Sequence, residues 1–133
     1  ILVNLLGNAV SFTPRGGSVA LVAARTRESP PGSALGSGPW CVFRVEDTGP
    51  GIPSDKLAHV FEPFVQLSSA GQTSRKGSGL GLTVSRQLAL LMGGDITVAS
   101  TGQGAVFTLW LPEGHRRVQA TAEVAADVEM ISR

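Results

Sequence analysis

Asn4 and Asn8 stand one helical turn apart. Two amide oxygens on one helix face can ligate a hard cation such as Mg2+, which prefers oxygen and keeps waters and phosphates as its other ligands. A polar face bordering solvent has the same pattern. Asp47-Thr48-Gly49-Pro50-Gly51 follows a run of alternating apolar residues. An ionised carboxylate only accepts hydrogen bonds, so it suits the amino group of a buried ring, and the glycines beside it leave room for that ring. Asp-x-Gly is also a common turn in which the carboxylate caps the next backbone N–H groups. Phe61-Glu62-Pro63-Phe64 places two aromatics three residues apart, as an anchor and hinge for a segment that closes over a ligand. Gly77-Ser78-Gly79-Leu80-Gly81-Leu82 opens an apolar periodic stretch. Glycines let backbone approach a ligand, and a helix N-terminus offers unpaired N–H groups, which together suit a polyphosphate. The spacing matches neither the Walker A loop nor the Rossmann fingerprint.

The elements that must position these groups follow from periodicity. Residues 1–11 read as an amphipathic helix with Leu2, Leu5, Leu6 and Ala9 on one stripe and Asn4, Asn8 and Ser11 on another, stopped by Thr13-Pro14-Arg15-Gly16-Gly17. Residues 18–25 read as a strand covered in part on both faces, and the Pro- and Gly-rich residues 28–39 as the loop to the next strand. In that strand, 40–47, Cys41, Phe43, Val45 and Asp47 face inward, and Trp40, Val42, Arg44 and Glu46 face outward. A carboxylate thus ends an inward apolar row. Ser54 is placed to cap a short helix through Val60. Residues 67–78 form a polar loop, 79–92 a helix with Leu80, Val84, Leu88 and Leu91 on one stripe, and 95–100 and 105–111 two strands joined by a hairpin turn at 101–104. The expected architecture is α+β: a two-layer α/β sandwich, with a mixed, mainly antiparallel sheet and helices over one face. Residues 1–112 make one domain, and 113–133 read as a tail or linker.

Composition narrows the function. The chain has 133 residues, 42% of them hydrophobic and 16% charged, which fits one globular domain. Eleven Lys and Arg against ten Asp and Glu give a net charge of +1, so nothing electrostatic argues for a nucleic-acid partner. The single cysteine, Cys41, excludes an internal disulfide and a cysteine-based zinc site. The chain opens at Ile1, already inside an apolar periodic stretch, and reads as part of a longer protein.

Taken in order, Asn4–Ala9, Val45–Ile52, Phe61–Phe64 and Gly77–Leu82 closely resemble the N box, the first glycine box, the F box and the second glycine box of sensor histidine kinase catalytic domains. That ATP-binding fold is shared with DNA gyrase, heat-shock protein 90 and mismatch-repair ATPases. The resemblance covers roughly residues 1–112 and implies ATP and Mg2+ as cofactors. It implies that Asn8 is the metal ligand, that Asn4 supports the phosphate region beside it, and that Asp47 binds the adenine amino group. Gly49 and Gly51 would make room for the base, with Ile52 and Phe64 among the nucleotide contacts. Residues 65–78 would be the ATP lid, and Lys76, Gly77, Ser78, Gly79, Leu80, Gly81 and Leu82 would line the triphosphate. The ATPases of this superfamily have a water-activating glutamate four residues before the metal asparagine, where this chain has Asn4. A kinase is therefore implied rather than a hydrolase. One departure is Ser11, where the family usually has a lysine reaching toward phosphate; Lys76 or Arg75 would replace it. Neither His59 nor His115 resembles a phosphoacceptor, so the acceptor histidine is expected on an upstream helical dimerisation domain of the same protein. That domain would make the parent a homodimer, and an aspartate on a response-regulator receiver domain would be the next acceptor.

Overall fold

The computed structural model describes residues 1–66 and 79–114, and in it the inward row of Phe43 and Val45 becomes the middle of a four-stranded sheet. Its strands are β1 (Val19–Thr26), β2 (Trp40–Asp47), β3 (Asp95–Ser100) and β4 (Ala105–Pro112). They lie in the order β1-β2-β4-β3, and every pairing among them is antiparallel. Among the described residues three helices accompany the sheet: α1 (Leu2–Phe12), α2 (Ser54–Leu57) and α3 (Gly81–Leu91). Leu5 and Ala9 of α1, with Ala89 of α3, meet Val45, Ile96, Phe107 and Leu109 in the main core. This is the two-layer α/β sandwich that the alternation of elements implies.

The register explains why Asp47 faces the helices. Val45 pairs with Leu21 and Phe107, and Phe43 pairs with Leu109, so odd-numbered residues of β2 share one face to its end. The opposite face is apolar only at its start. There Trp40, Val42 and Trp110 make a second buried cluster, against which Leu35 of the 28–39 loop packs. Trp40 Nε1 donates to the Gly36 carbonyl at 3.2 Å and Trp110 Nε1 donates to Thr97 Oγ1 at 2.9 Å, so both indoles are satisfied.

Four expectations need correction. The strand read as covered in part on both faces is β1, and its residues from Ala20 to Arg25 are all exposed, because it is a sheet edge from which only Val19 packs against the main core. Ser54 caps nothing: Pro53 holds the N-cap position and α2 ends at Leu57, short of Val60. The last helix begins at Gly81 rather than at 79, since Gly79 has φ +68 and that conformation cannot continue a right-handed helix. Its leucine stripe is also not its buried side. Val84, Leu88 and Leu91 are exposed, Leu91 to 83%, while the buried residues of α3 are Ser85 and Ala89. Small side chains let α3 approach the sheet and α1 closely, and that approach outweighs the larger leucines in deciding which face is buried.

Candidate functional site

A cavity of about 490 Å3 opens between α1, the end of β2, the 48–53 turn, α2 and the hairpin between β3 and β4. Its walls are mainly apolar, from Ala9, Phe12, Pro50, Ile52, Pro53, Leu82, Ala105 and Phe107. Among the described residues three polar side chains line it: Asn8, Asp47 and Lys56. An apolar cleft with a few polar groups is the usual form of a small-molecule site.

The Asp47 carboxylate is held from behind. Its Oδ1 accepts from the Gly49 N–H at 2.9 Å and from the Ala105 N–H at 3.3 Å. Among the described residues nothing bonds Oδ2. The turn reading of Asp-x-Gly is thus realised through one oxygen, and the other has no described partner. Gly51 is fixed by the hairpin. It has φ +75, and a Cβ there would sit 2.7 Å from Ser100 Oγ and 3.1 Å from the Gly104 carbonyl. Ser100 Oγ also donates to that carbonyl at 2.8 Å and accepts from the Ile52 N–H at 2.9 Å, so the turn and the hairpin form one bonded floor. Gly49 does not line the cavity; its missing side chain admits the Phe12 carbonyl, 2.8 Å from where a Cβ would stand.

The two asparagines part company. Asn8 lines the cavity, and its side chain makes no hydrogen bond among the described residues. The Asn4 amide instead donates to Ser85 Oγ at 3.0 Å and to the Gly81 carbonyl at 3.5 Å. Asn4 thereby ties α1 to the start of α3.

The two phenylalanines also differ. Phe61 meets Phe107 edge to face, with centroids 6.3 Å apart, and its carbonyl accepts from Thr83 Oγ1 at 2.9 Å. Phe64 is 75% exposed, has φ +64 and lies outside the cavity lining. Its N–H donates to the Gly79 carbonyl at 3.0 Å, and a Cβ on Gly79 would stand 2.8 Å from Phe64 Cα. The backbone at Phe64, more than its ring, therefore joins the two chain ends that bracket 65–78. Leu80 and Gly81 fall outside the lining, and Leu82 is inside it. Lys76, Gly77 and Ser78, with the rest of 67–78, lie outside the described residues, as does the tail from 115.

Several residues escaped the sequence reading. Lys56 is the one cation among the described cavity residues and nothing in its spacing marks it. Arg86 and Asp95 form an ion pair at 2.9 Å, with Asp95 only 3% exposed at the start of β3. An aspartate straight after the Gly93-Gly94 stop, opening an apolar strand, was the available signal. Burial pushes the Asp95 carboxyl up, but hydrogen bonds from Arg86, Ser33 and the Ile96 N–H outweigh it and hold the group below its ordinary value. His59 is shifted upward by its hydrogen bond to Glu62, at 2.7 Å, and by the charge of that carboxylate.

The family model for histidine kinase-, DNA gyrase B- and HSP90-like ATPases matches residues 1–115. This chain belongs to that family. Its relatives place it among catalytic domains of the sensor histidine kinase type. It is 43% identical over 114 residues to the circadian input-output histidine kinase CikA of Synechococcus elongatus, covering 85% of this chain and 14% of that protein. It is 45% identical over 111 residues to the aerobic respiration control sensor protein ArcB of Escherichia coli, covering 82% of this chain and 13% of that one. The chain thus spans about a seventh of the length of these curated relatives. Among solved structures, the mycobacterial sensor histidine kinase MprB superposes with a TM-score of 0.64 at 33% identity, covering 84% of this chain and 68% of the other. Full-length ShkA in complex with AMPPNP superposes at 0.61 with 38% identity, over 84% and 20% of the two chains.

Proposed function

We propose that this domain binds Mg2+–ATP in the cavity between α1 and the hairpin and presents the γ-phosphate to a histidine on a separate dimerisation domain of the same protein. The phosphoryl group would then pass to an aspartate on a response-regulator receiver domain. The observation that carries the reading is Asp47, with Oδ1 fixed by two backbone N–H groups and Oδ2 unbonded beside an apolar cleft. Such a carboxylate is a preorganised acceptor for an exocyclic amino group, and Ile52 and Phe107 offer the base apolar walls.

Asn8 is the side chain that would hold Mg2+, and its amide is uncommitted among the described residues. When bound, the ion supplies charge neutralisation on the phosphates. Asn4 keeps the second glycine box against α1, which sets the distance between the metal side of the cavity and the N-terminus of α3. Phosphoryl transfer needs positioning and electrostatic stabilisation more than covalent help from the protein, and these residues provide positioning. Asn4 stands where a hydrolase would carry its carboxylate base, so water attack is slow and the phosphoryl group is saved for the acceptor. The exposed stripe of Val84, Leu88 and Leu91, on the helix that opens with the second glycine box, is a surface for a partner protein, and the dimerisation domain fits it. That upstream domain would also make the parent a homodimer.

Ser11 favours a second reading, a nucleotide-holding module of the same fold without transfer activity. Incubating the full-length protein with γ-labelled ATP separates the alternatives. Acid-labile label on the protein supports the kinase, absence of label with binding intact supports the module, and released phosphate supports a hydrolase.

A further inference from the structure

We infer that Arg86 is a positioning residue for the nucleotide cavity, acting through the Phe61 ring; this rests on the nucleotide reading above. Arg86 makes no contact with the cavity, yet its guanidinium is held on two sides. Nε donates to Asp95 Oδ1 at 2.9 Å and Nη2 donates to Asp95 Oδ2 at 3.4 Å, a fork on a nearly buried carboxylate. Asp95 is itself fixed, accepting from the Ile96 N–H at 2.8 Å and from Ser33 Oγ at 2.6 Å. The carboxylate therefore has little freedom to follow the guanidinium if it moves. The other side of Arg86 covers Phe61, with Cζ 4.8 Å from the ring centroid. A cation over an aromatic face is attracted to it, and a planar guanidinium also stacks, which an ammonium cannot do.

The Phe61 ring passes this constraint to the site. Its edge-to-face partner Phe107 is a wall of the cavity, and the Phe61 carbonyl is bonded to Thr83 of α3. Three residues on, the Phe64 N–H is bonded to Gly79. Asp95, Arg86, Phe61 and Phe107 thus form one continuous packed chain from the start of β3 to the cavity wall.

The test is titration of the full chain with Mg2+–AMPPNP, at a temperature where circular dichroism shows each variant folded. Arg86→Leu combined with Asp95→Asn removes both charges and leaves no unpaired buried carboxylate. We expect it to weaken binding roughly tenfold, with Arg86→Lys weaker by about threefold because it loses the planar stack and keeps the charge. Arg86→Lys leaves Asp95 paired, so the comparison stands if the double variant does not fold. In a Phe61→Leu background the same replacements should add less than about twofold, since the ring they act through is gone. Affinity within twofold of the parent for folded variants would overturn the inference, and so would an undiminished effect in the Phe61→Leu background. A parent chain that binds no nucleotide overturns the nucleotide reading and this inference with it. Binding by the parent with indifferent Arg86 variants removes only the inference.

Discussion

The Asn8 amide has no described partner to lose, so its replacement tests function with little structural cost. Asn8→Ala should abolish phosphoryl transfer in the full-length protein and leave the circular dichroism spectrum and melting temperature unchanged, within about 0.5 kcal/mol. Normal autophosphorylation would remove Asn8 from the metal site. Gly51 makes the opposite case, where structure should fail first. A Cβ there meets Ser100 Oγ and the Gly104 carbonyl at a positive φ, so Gly51→Ala should cost about 1–3 kcal/mol in denaturant unfolding. A neutral result would mean that the hairpin yields easily. At this scale the sequence was partly legible. Asp47 could be placed on the inner face because strand alternation runs unbroken from Cys41, whereas the separate duties of Asn4 and Asn8 could not be read. Both lie on one helix face, and only the position of α3 decides which of them Ser85 engages.

Between elements, the informative failure is α3. Its leucine stripe has the period of a buried face, yet the fully buried residues of the helix are Ser85 and Ala89. Hydrophobic periodicity identifies a helix and its apolar side; it does not register that small residues allow a closer approach. The displaced stripe yields a prediction. Leu88→Asp should leave nucleotide affinity within about twofold and lower autophosphorylation of the full-length protein by roughly tenfold or more, if the exposed stripe meets the dimerisation domain as proposed. Unchanged autophosphorylation would show that this face is not used. The link from α3 to β3 is testable by pH. The Asp95 carboxyl is held below its unfolded value, so its contribution is fully present above about pH 4–5 and is lost as pH falls through the folded pKa. Acid unfolding followed by Trp40 and Trp110 fluorescence should show this, and in Asp95→Asn the acid-dependent loss should shrink. An identical pH profile in the variant would assign acid sensitivity to other carboxylates.

For the whole molecule, the order of elements and the sandwich were legible because hydrophobic periodicity and the glycine and proline stops between segments mark helices and strands in turn. The exposure of β1 was not, because edge or centre depends on which strands are neighbours and not on the strand's own residues. Nor was the role of Lys56, which reaches the cavity only through the way α2 folds back beside the hairpin. Competition titration of ATP against GTP on the parent and on Asp47→Ala tests whether this cavity reads adenine through Asp47. Adenine offers an amino donor where guanine offers a carbonyl oxygen, so guanine would set two acceptors against each other. A hydrogen bond to a charged group contributes about 1.5–3 kcal/mol, so the parent should prefer ATP by roughly tenfold to a hundredfold or more. Asp47→Ala should bind ATP more weakly by a comparable factor and lose most of the discrimination. Equal binding of ATP and GTP by the parent would leave Asp47 as a turn residue alone.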